Sequence, residues 1–180
     1  MTPEFRVSYP FIFRPGAPID PGQEPKYSVA MLFAPKADLS VLKAAVKAAT
    51  VEKWGADQAR WPKNLRSPFR DQGEKDDKQG YVRGAIFVVA TSKQRPGLVD
   101  SNVQDIVEER QFYAGCYARA TVRPFAYDQA GNRGVAFGLQ NIQKLREGEP
   151  LGGRSSPQAD FEPVAQNGGS VFDQDGEAPF

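Results

Sequence analysis

The stretch GCYARATVRPFAYD, residues 115–128, decides the fold when it is read two residues at a time. Cys116, Ala118, Ala120, Val122 and Ala126 make one small apolar face. Tyr117, Arg119, Thr121, Arg123, Phe125 and Tyr127 make the other. That alternation predicts a strand with one face turned to a core. The turn DQAGNRG (128–134) and a second run, Val135–Gln140, complete a hairpin. On the polar face, aromatic and guanidinium side chains alternate about 7 Å apart along the strand. Aromatic rings stack on unpaired bases, at ~1–3 kcal/mol each, and guanidinium groups meet phosphates, so the face suits a single-stranded nucleic acid. A solvated face, on which arginine stems cover exposed rings, fits the same residues.

Outward from this hairpin the pattern stays mainly β. Phe5–Arg14 alternates, with Phe5, Val7, Tyr9, Phe11 and Phe13 on one side, and reads as a half-buried strand. PGAPIDPGQEP (15–25) holds four prolines and reads as a loop. Lys26–Ala34 is a strand apolar on both sides. Asp38 can cap a helix running to about Trp54, with Leu39, Leu42, Val46 and Ala49 inward, Lys43 and Lys47 in water, and Trp54 in the core. Residues 55–80 have no period and read as a long charged loop. A strand over Val82–Thr91 and a loop, SKQRPGLVDSN (92–102), lead to the hairpin. Five strands, one helix and long loops predict a small closed or partly closed β-barrel, an architecture used for oligonucleotides. Helices do not alternate with strands, which excludes a doubly wound sheet.

Composition narrows the chemistry. The 180 residues contain no histidine and one cysteine, Cys116, which removes histidine-dependent triads, histidine bases and single-chain thiolate zinc sites. No phosphate-loop or dinucleotide fingerprint is present. The one dense acidic cluster, Asp71, Glu74, Asp76 and Asp77, is interleaved with lysine and glycine and reads as a solvated loop. The enzymatic alternative is a metal-dependent nuclease built on that Asp71–Asp77 cluster. The opening MTPEFRVSYPFIF lacks the marks of a secretory signal, and no apolar run approaches the ~20 residues of a membrane span. The expected location is cytosolic, with no membrane partner and no cofactor.

Charge is distributed unevenly. All 23 basic residues lie in 1–154 with 17 of the 22 acidic ones, a net of +6, whereas 155–180 carries five acids and no base. The expected organisation is a binding domain, 1–154, and a disordered acidic tail, 155–180. Basic residues accompany aromatics on the loops: Arg133 in the hairpin turn, Lys93 and Arg95 in a Pro/Gly loop, and Lys63, Arg66 and Arg70 around Trp61 and Phe69 in WPKNLRSPFRD (61–71). Trp61 and Phe69 fit equally well as anchors of that loop in the core. The tail closes on DQDGEAPF (173–180), in which Asp173, Asp175 and Glu177 precede Pro179 and a terminal Phe180. A flexible coil as long as the whole tail, 155–180, reaches ~28 Å, enough to fold back on a small barrel and compete with phosphate.

Taken in order, EPKYSVAMLFAPK (24–36), NLRSPFRD (64–71), RPGLVD (95–100), YAGCYARATV (113–122) and GVAFGLQNIQKLREGEPLGGR (134–154) resemble a family of bacteriophage single-stranded DNA-binding proteins over roughly residues 5–162. The resemblance implies an oligonucleotide-binding barrel without enzymatic activity, serving phage DNA replication, recombination or repair in the cytoplasm of the infected host. One departure concerns the helix, which falls here between the second and third strands rather than between the third and fourth. The tail is similar to the acidic tips of bacterial single-stranded DNA-binding proteins, which implies docking to replication or recombination proteins. Single-stranded DNA is the expected ligand, with RNA, duplex DNA and homo-oligomerisation left open. A phage structural or assembly protein that pairs exposed strands with copies of itself is the remaining alternative.

Overall fold

The computed structural model describes residues 1–18 and 21–152; the acidic tail and the expectation of its disorder lie outside the described residues. Seven strands and one α-helix occur among them: β1 (Phe5–Gly16), β2 (Lys26–Leu32), α1 (Ser40–Trp54), β3 (Arg70–Asp71), β4 (Ile86–Ser92), β5 (Gly97–Val99), β6 (Tyr117–Gln129) and β7 (Asn132–Arg146). The sheet runs β3-β4-β2-β1-β6-β7-β5, and a further pairing of β4 with β7 closes five strands into a ring. Four pairings of the ring are antiparallel, and the closing one is parallel, through Ala90↔Phe137 and Thr91↔Gly138. This is the closure of a five-stranded oligonucleotide-binding barrel, with the helix between its second and third ring strands.

The core follows from the alternation. Val29, Met31, Val88, Ala90, Cys116, Ala118, Ala120 and Phe137 are buried inside the ring. Leu39, just before α1, and Leu42 on it join this core, with Val46 packed against it. Asp38 accepts the backbone N–H of Ser40, so its carboxylate serves the helix start from two residues before it. Trp54 is only half-buried at the helix end. Burial pushes the Cys116 thiol above its ordinary value, as expected of a small core residue.

Four expectations change. First, the β1 alternation slips. Its pairing with β2 shifts between Ser8 and Phe11, and Tyr9 sits there at φ +44°. A bulge reverses the faces downstream. Ile12 is therefore fully buried, while Tyr9 and Phe11 stand 44 % and 43 % exposed. Second, the 82–91 strand begins only at Ile86, because Val82–Ala85 forms a turn with Gly84 at φ +83°. Third, the two long loops contain short strands. β3 pairs with the start of β4, and β5 runs parallel to β7. Fourth, the hairpin is longer than expected, with Ala130 and Gly131, both at positive φ, as the only residues between its strands.

The 55–80 segment, featureless in sequence, is tied down by Gln72, which is 1 % exposed. Its amide nitrogen donates to the carbonyls of Phe33 and Ile86, and its amide oxygen accepts the N–H of Val82. The chain leaves the barrel by crossing itself. Gly115, at φ +116°, lies so close to Glu149 and Pro150 that a Cβ would strike their backbone. Gly148 presses in the same way on Gly115 and the Tyr117 ring. Just beyond, Leu151 donates its N–H to Ala114 and caps Gly80.

Replacing Gln72 by Ala leaves the buried Phe33 carbonyl without this donor and the part-buried Val82 N–H without its acceptor. It should cost ~2–4 kcal/mol of stability, read by urea unfolding, whereas Gln79→Ala on the exposed neighbouring turn should cost little.

Candidate nucleic-acid interface

One edge of β7 takes three partners in succession: Arg66 against Gly134, β4 at Phe137 and Gly138, and β5 at Asn141 to Gln143. β4 and β7 touch only at two residue pairs, and the 66–71 segment wedges between them where they diverge. Arg66 exchanges backbone hydrogen bonds with Arg133 and Val135, and β3 pairs Arg70 with Phe87.

At the point of contact, a single row of outward residues crosses all five ring strands. Phe11 pairs with Ser28, Ser28 with Thr91, Thr91 with Gly138, and Gly138 with Arg123. At a strand spacing of ~4.8 Å the row spans about 19 Å. Its middle is floored by Ser28, Thr91 and Gly138, and its ends carry an exposed ring and an exposed guanidinium. Small residues between large ones make a trough. On β7, Gly134, Ala136 and Gly138 oppose Tyr127, Phe125 and Arg123, so no large cross-strand partner covers the β6 aromatic rings. Phe125 is 45 % exposed. The positions a Cβ would take at Gly134 crowd the Tyr127 hydroxyl and Arg66 alike, so these two share the outer face.

Both lips of the trough are basic. On the wedge side lie Arg66, Arg133 and Arg70; Arg133 pairs with Asp128 at 3.1 Å, and Arg70 pairs with Glu74 while lying 4.9 Å over the Phe87 ring. On the other side, the loop after β4 carries Lys93, paired with Glu24 at 3.0 Å, and Arg95, 5.3 Å over the Phe13 ring. These ion pairs are exposed and therefore weak, and a phosphate can replace the carboxylate in each. Arg123 and Lys63 are exposed and engage no carboxylate among the described residues.

The remaining sequence candidates go elsewhere. Tyr117 lies eight residues, roughly 26 Å, from Phe125, between Arg146 at 3.5 Å and Arg6 at 5.9 Å from its ring. Arg119 donates to Gln143 at 2.8 Å. Phe69 packs edge-to-face on Phe137 and so anchors its loop. Trp61, half-buried, donates its indole N–H to Gly55 at the helix end. Asp173, Asp175, Glu177, Pro179 and Phe180 lie outside the described residues. Sequence reading assigned Tyr9 and Phe11 to the inner face and passed over Ser28, Thr91 and Gly138. A proline after an aromatic in a strand, Tyr9-Pro10, was the available signal of a bulge.

The carboxylates of the acidic cluster are each engaged by a different partner. Asp71 accepts the N–H of Gly73, Glu74 pairs with Arg70, and Asp76 pairs with Arg83. Lys78 beside Asp77 holds that carboxyl below the usual carboxylate range. Among the described residues, no group of three or more such side chains could hold a metal ion.

A closed barrel with a basic-lipped trough across its strands defines the class, an oligonucleotide-binding-type β protein. The family model described as Enterobacter phage Enc34, ssDNA-binding protein, matches residues 1–171. The chain belongs to this family of non-enzymatic phage single-stranded DNA-binding proteins. It is 30 % identical over 158 residues to protein p50 of Acyrthosiphon pisum secondary endosymbiont phage 1, covering 82 % of this chain and 83 % of that one. The fold is also that of the single-stranded DNA-binding protein from bacteriophage Enc34 solved in complex with ssDNA, with a TM-score of 0.68 at 19 % identity over 83 % of this chain and 86 % of that one. It is likewise similar to gp2.5, a single-stranded DNA-binding protein encoded by bacteriophage T7, with a TM-score of 0.55 at 15 % identity over 91 % and 96 % of the two chains. No helix among the described residues is long and apolar enough to cross a membrane.

A Cβ at Gly138 would meet only ordinary contacts, the nearest at 3.5 Å, so a side chain fits there on the outer face. Gly138→Leu should leave thermal unfolding within about 0.5 kcal/mol of the parent while filling the trough. A fluorescence titration with oligo-dT should show at least tenfold weaker binding.

Proposed function

We propose that the protein binds single-stranded DNA across the trough without reading its sequence, coating and protecting the strand in phage replication, recombination or repair in the host cytoplasm. The observation that carries this reading is the row Phe11–Ser28–Thr91–Gly138–Arg123, floored by small side chains and flanked by cations from the 66–71 segment, the start of β7 and the loop after β4. Bases stack on Phe125 and Tyr127 at one end and on Phe11 at the other, and phosphates meet Arg123, Arg66, Arg133, Arg70, Lys93 and Arg95. Stacking accepts any base, which makes the interaction tolerant of sequence. RNA offers the same bases and phosphates and binds more weakly in this reading, as does duplex DNA, whose bases are not free to stack.

In the same reading the chain divides into a binding domain, 1–154, and a tail, 155–180. The five tail carboxylates compete with phosphate for the basic lips. The terminal Phe180 and its carboxylate serve as a docking end for replication or recombination proteins.

Titration with poly-dT, poly-U and duplex DNA at several salt concentrations tests the core claim. For single strands the log–log slope should be about −0.7 per phosphate neutralised, and Arg123→Glu should weaken binding and flatten that slope. Unchanged affinity in this variant would remove the trough from consideration. A chain lacking residues 163–180 should bind DNA more tightly, most visibly at low salt where screening is weak. Phe180→Ala, which keeps every acidic side chain, should leave DNA affinity unaltered and abolish partner docking. If neither change alters DNA or partner binding, the tail is a solubilising segment.

A further inference from the structure

The trough does not stop at Phe11. Beyond it, on the outer side of β1, lies a largely apolar pocket of about 400 Å³ lined by Tyr9, Pro10, Phe11, Tyr81, Lys78 and Leu151, among others. That volume falls within the ~300–1,000 Å³ typical of small-ligand sites. The pocket exists because of the β1 bulge. A non-glycine residue at φ +44° is uncommon, and it costs free energy that a simple continuation of the strand would not. What the bulge achieves is to swing two aromatic rings out of the core and into solvent.

Cations stand beside these rings. The ammonium of Lys75 lies 5.5 Å over the Tyr9 ring and 5.9 Å over that of Tyr81, and no carboxylate pairs with it among the described residues. Lys78 at the rim is paired only with its exposed neighbour Asp77, at 2.9 Å. The floor is firm: Tyr81 is buried, its hydroxyl donates to Ser8 at 3.3 Å, and its ring packs edge-to-face on Phe87. Aromatic walls, an apolar floor, the Lys78 ammonium at the rim and that of Lys75 against the rings match a planar heterocycle that is attached to phosphate.

We propose that this pocket takes one unpaired nucleobase from the strand lying in the trough, stacked against Tyr9 and Phe11, with Lys75 and Lys78 meeting the flanking phosphates. The proposal rests on the single-strand-binding reading and extends it, because Phe11 belongs to the trough and to the pocket alike. It also supplies a source of strand selectivity. A base held in a duplex must first be unpaired and unstacked to enter, at a cost that a single strand does not bear. The chain leaves the described body at Gly152, on the pocket rim, so the following segment is the rival occupant.

The test uses the full-length protein and oligo-dT carrying 5-iodo-deoxyuridine, irradiated and mapped by peptide mass spectrometry. An adduct on Tyr9, which only the pocket brings to a base, is expected alongside those on Phe11, Phe125 or Tyr127. Tyr9→Asn removes the ring while keeping a residue at ease at positive φ, and Phe11→Leu keeps apolar bulk. Each should weaken oligo-dT binding about tenfold, the scale of one lost base stack, with the melting temperature unchanged for Phe11→Leu. Adducts confined to Phe11, Phe125 and Tyr127, with parental affinity in Tyr9→Asn, would overturn the pocket and leave the trough standing. The same result is expected if the segment after Gly152 fills the pocket. If Arg123→Glu also binds like the parent, the trough reading fails as well, and the two failures are told apart.

Discussion

Two residue pairs close the barrel, Ala90 with Phe137 and Thr91 with Gly138. Everything else in the molecule is arranged around that short parallel seam. Its inward members, Ala90 and Phe137, join the core, and its outward members, Thr91 and Gly138, form the trough floor. A longer seam would have left no opening for the 66–71 wedge, and with it no place for Arg66 beside Tyr127 or for Arg70 over the Phe87 ring. The same edge of β7 then receives β5, so the strand that closes the ring also braces both flanking loops. Fold and candidate site are thus consequences of one constraint, the brevity of contact between two diverging strands.

The hairpin and the barrel class were legible because they depend on local alternation. Cys116, Ala118 and Ala120 are buried, and Val29 and Met31 are buried beside them, as their spacing demands. The helix was legible for the same reason, down to the service of Asp38 at its start. What resisted reading was anything set by a partner distant in sequence. β3 and β5, two and three residues long, exist only because β4 and β7 offer them an edge. Gln72 looks like any polar loop residue until its three partners, from three different segments, are assembled around it.

The candidate site divides along the same line. Residue chemistry pointed to Arg123, Phe125, Tyr127, Arg66, Arg70, Arg133, Lys93 and Arg95, and the ring closure gathers these around one trough. Tyr117 and Arg119 carry the same chemistry on the same strand face but sit at its other end, engaged with Arg146, Arg6 and Gln143. Periodicity assigns a face, not a position along it. The bulge at Tyr9 exposes the complementary weakness. One displaced residue turned Tyr9 and Phe11 from apparent core to surface, and Ile12 the other way.

The crossing of Gly115 under Glu149 and Pro150, with Gly148 pressed on Tyr117, has a bearing on how this chain tolerates change. By composition, EGEPLGG (147–153) is a linker, the kind of segment where substitutions usually accumulate without harm. Here a single added methyl group at either glycine forces two backbones apart and lifts Leu151 off Gly80. The strap that carries the chain away from the barrel is therefore as intolerant as its interior. Drift in this protein should be freest on the exposed turns and least free at a place that composition alone would mark as dispensable.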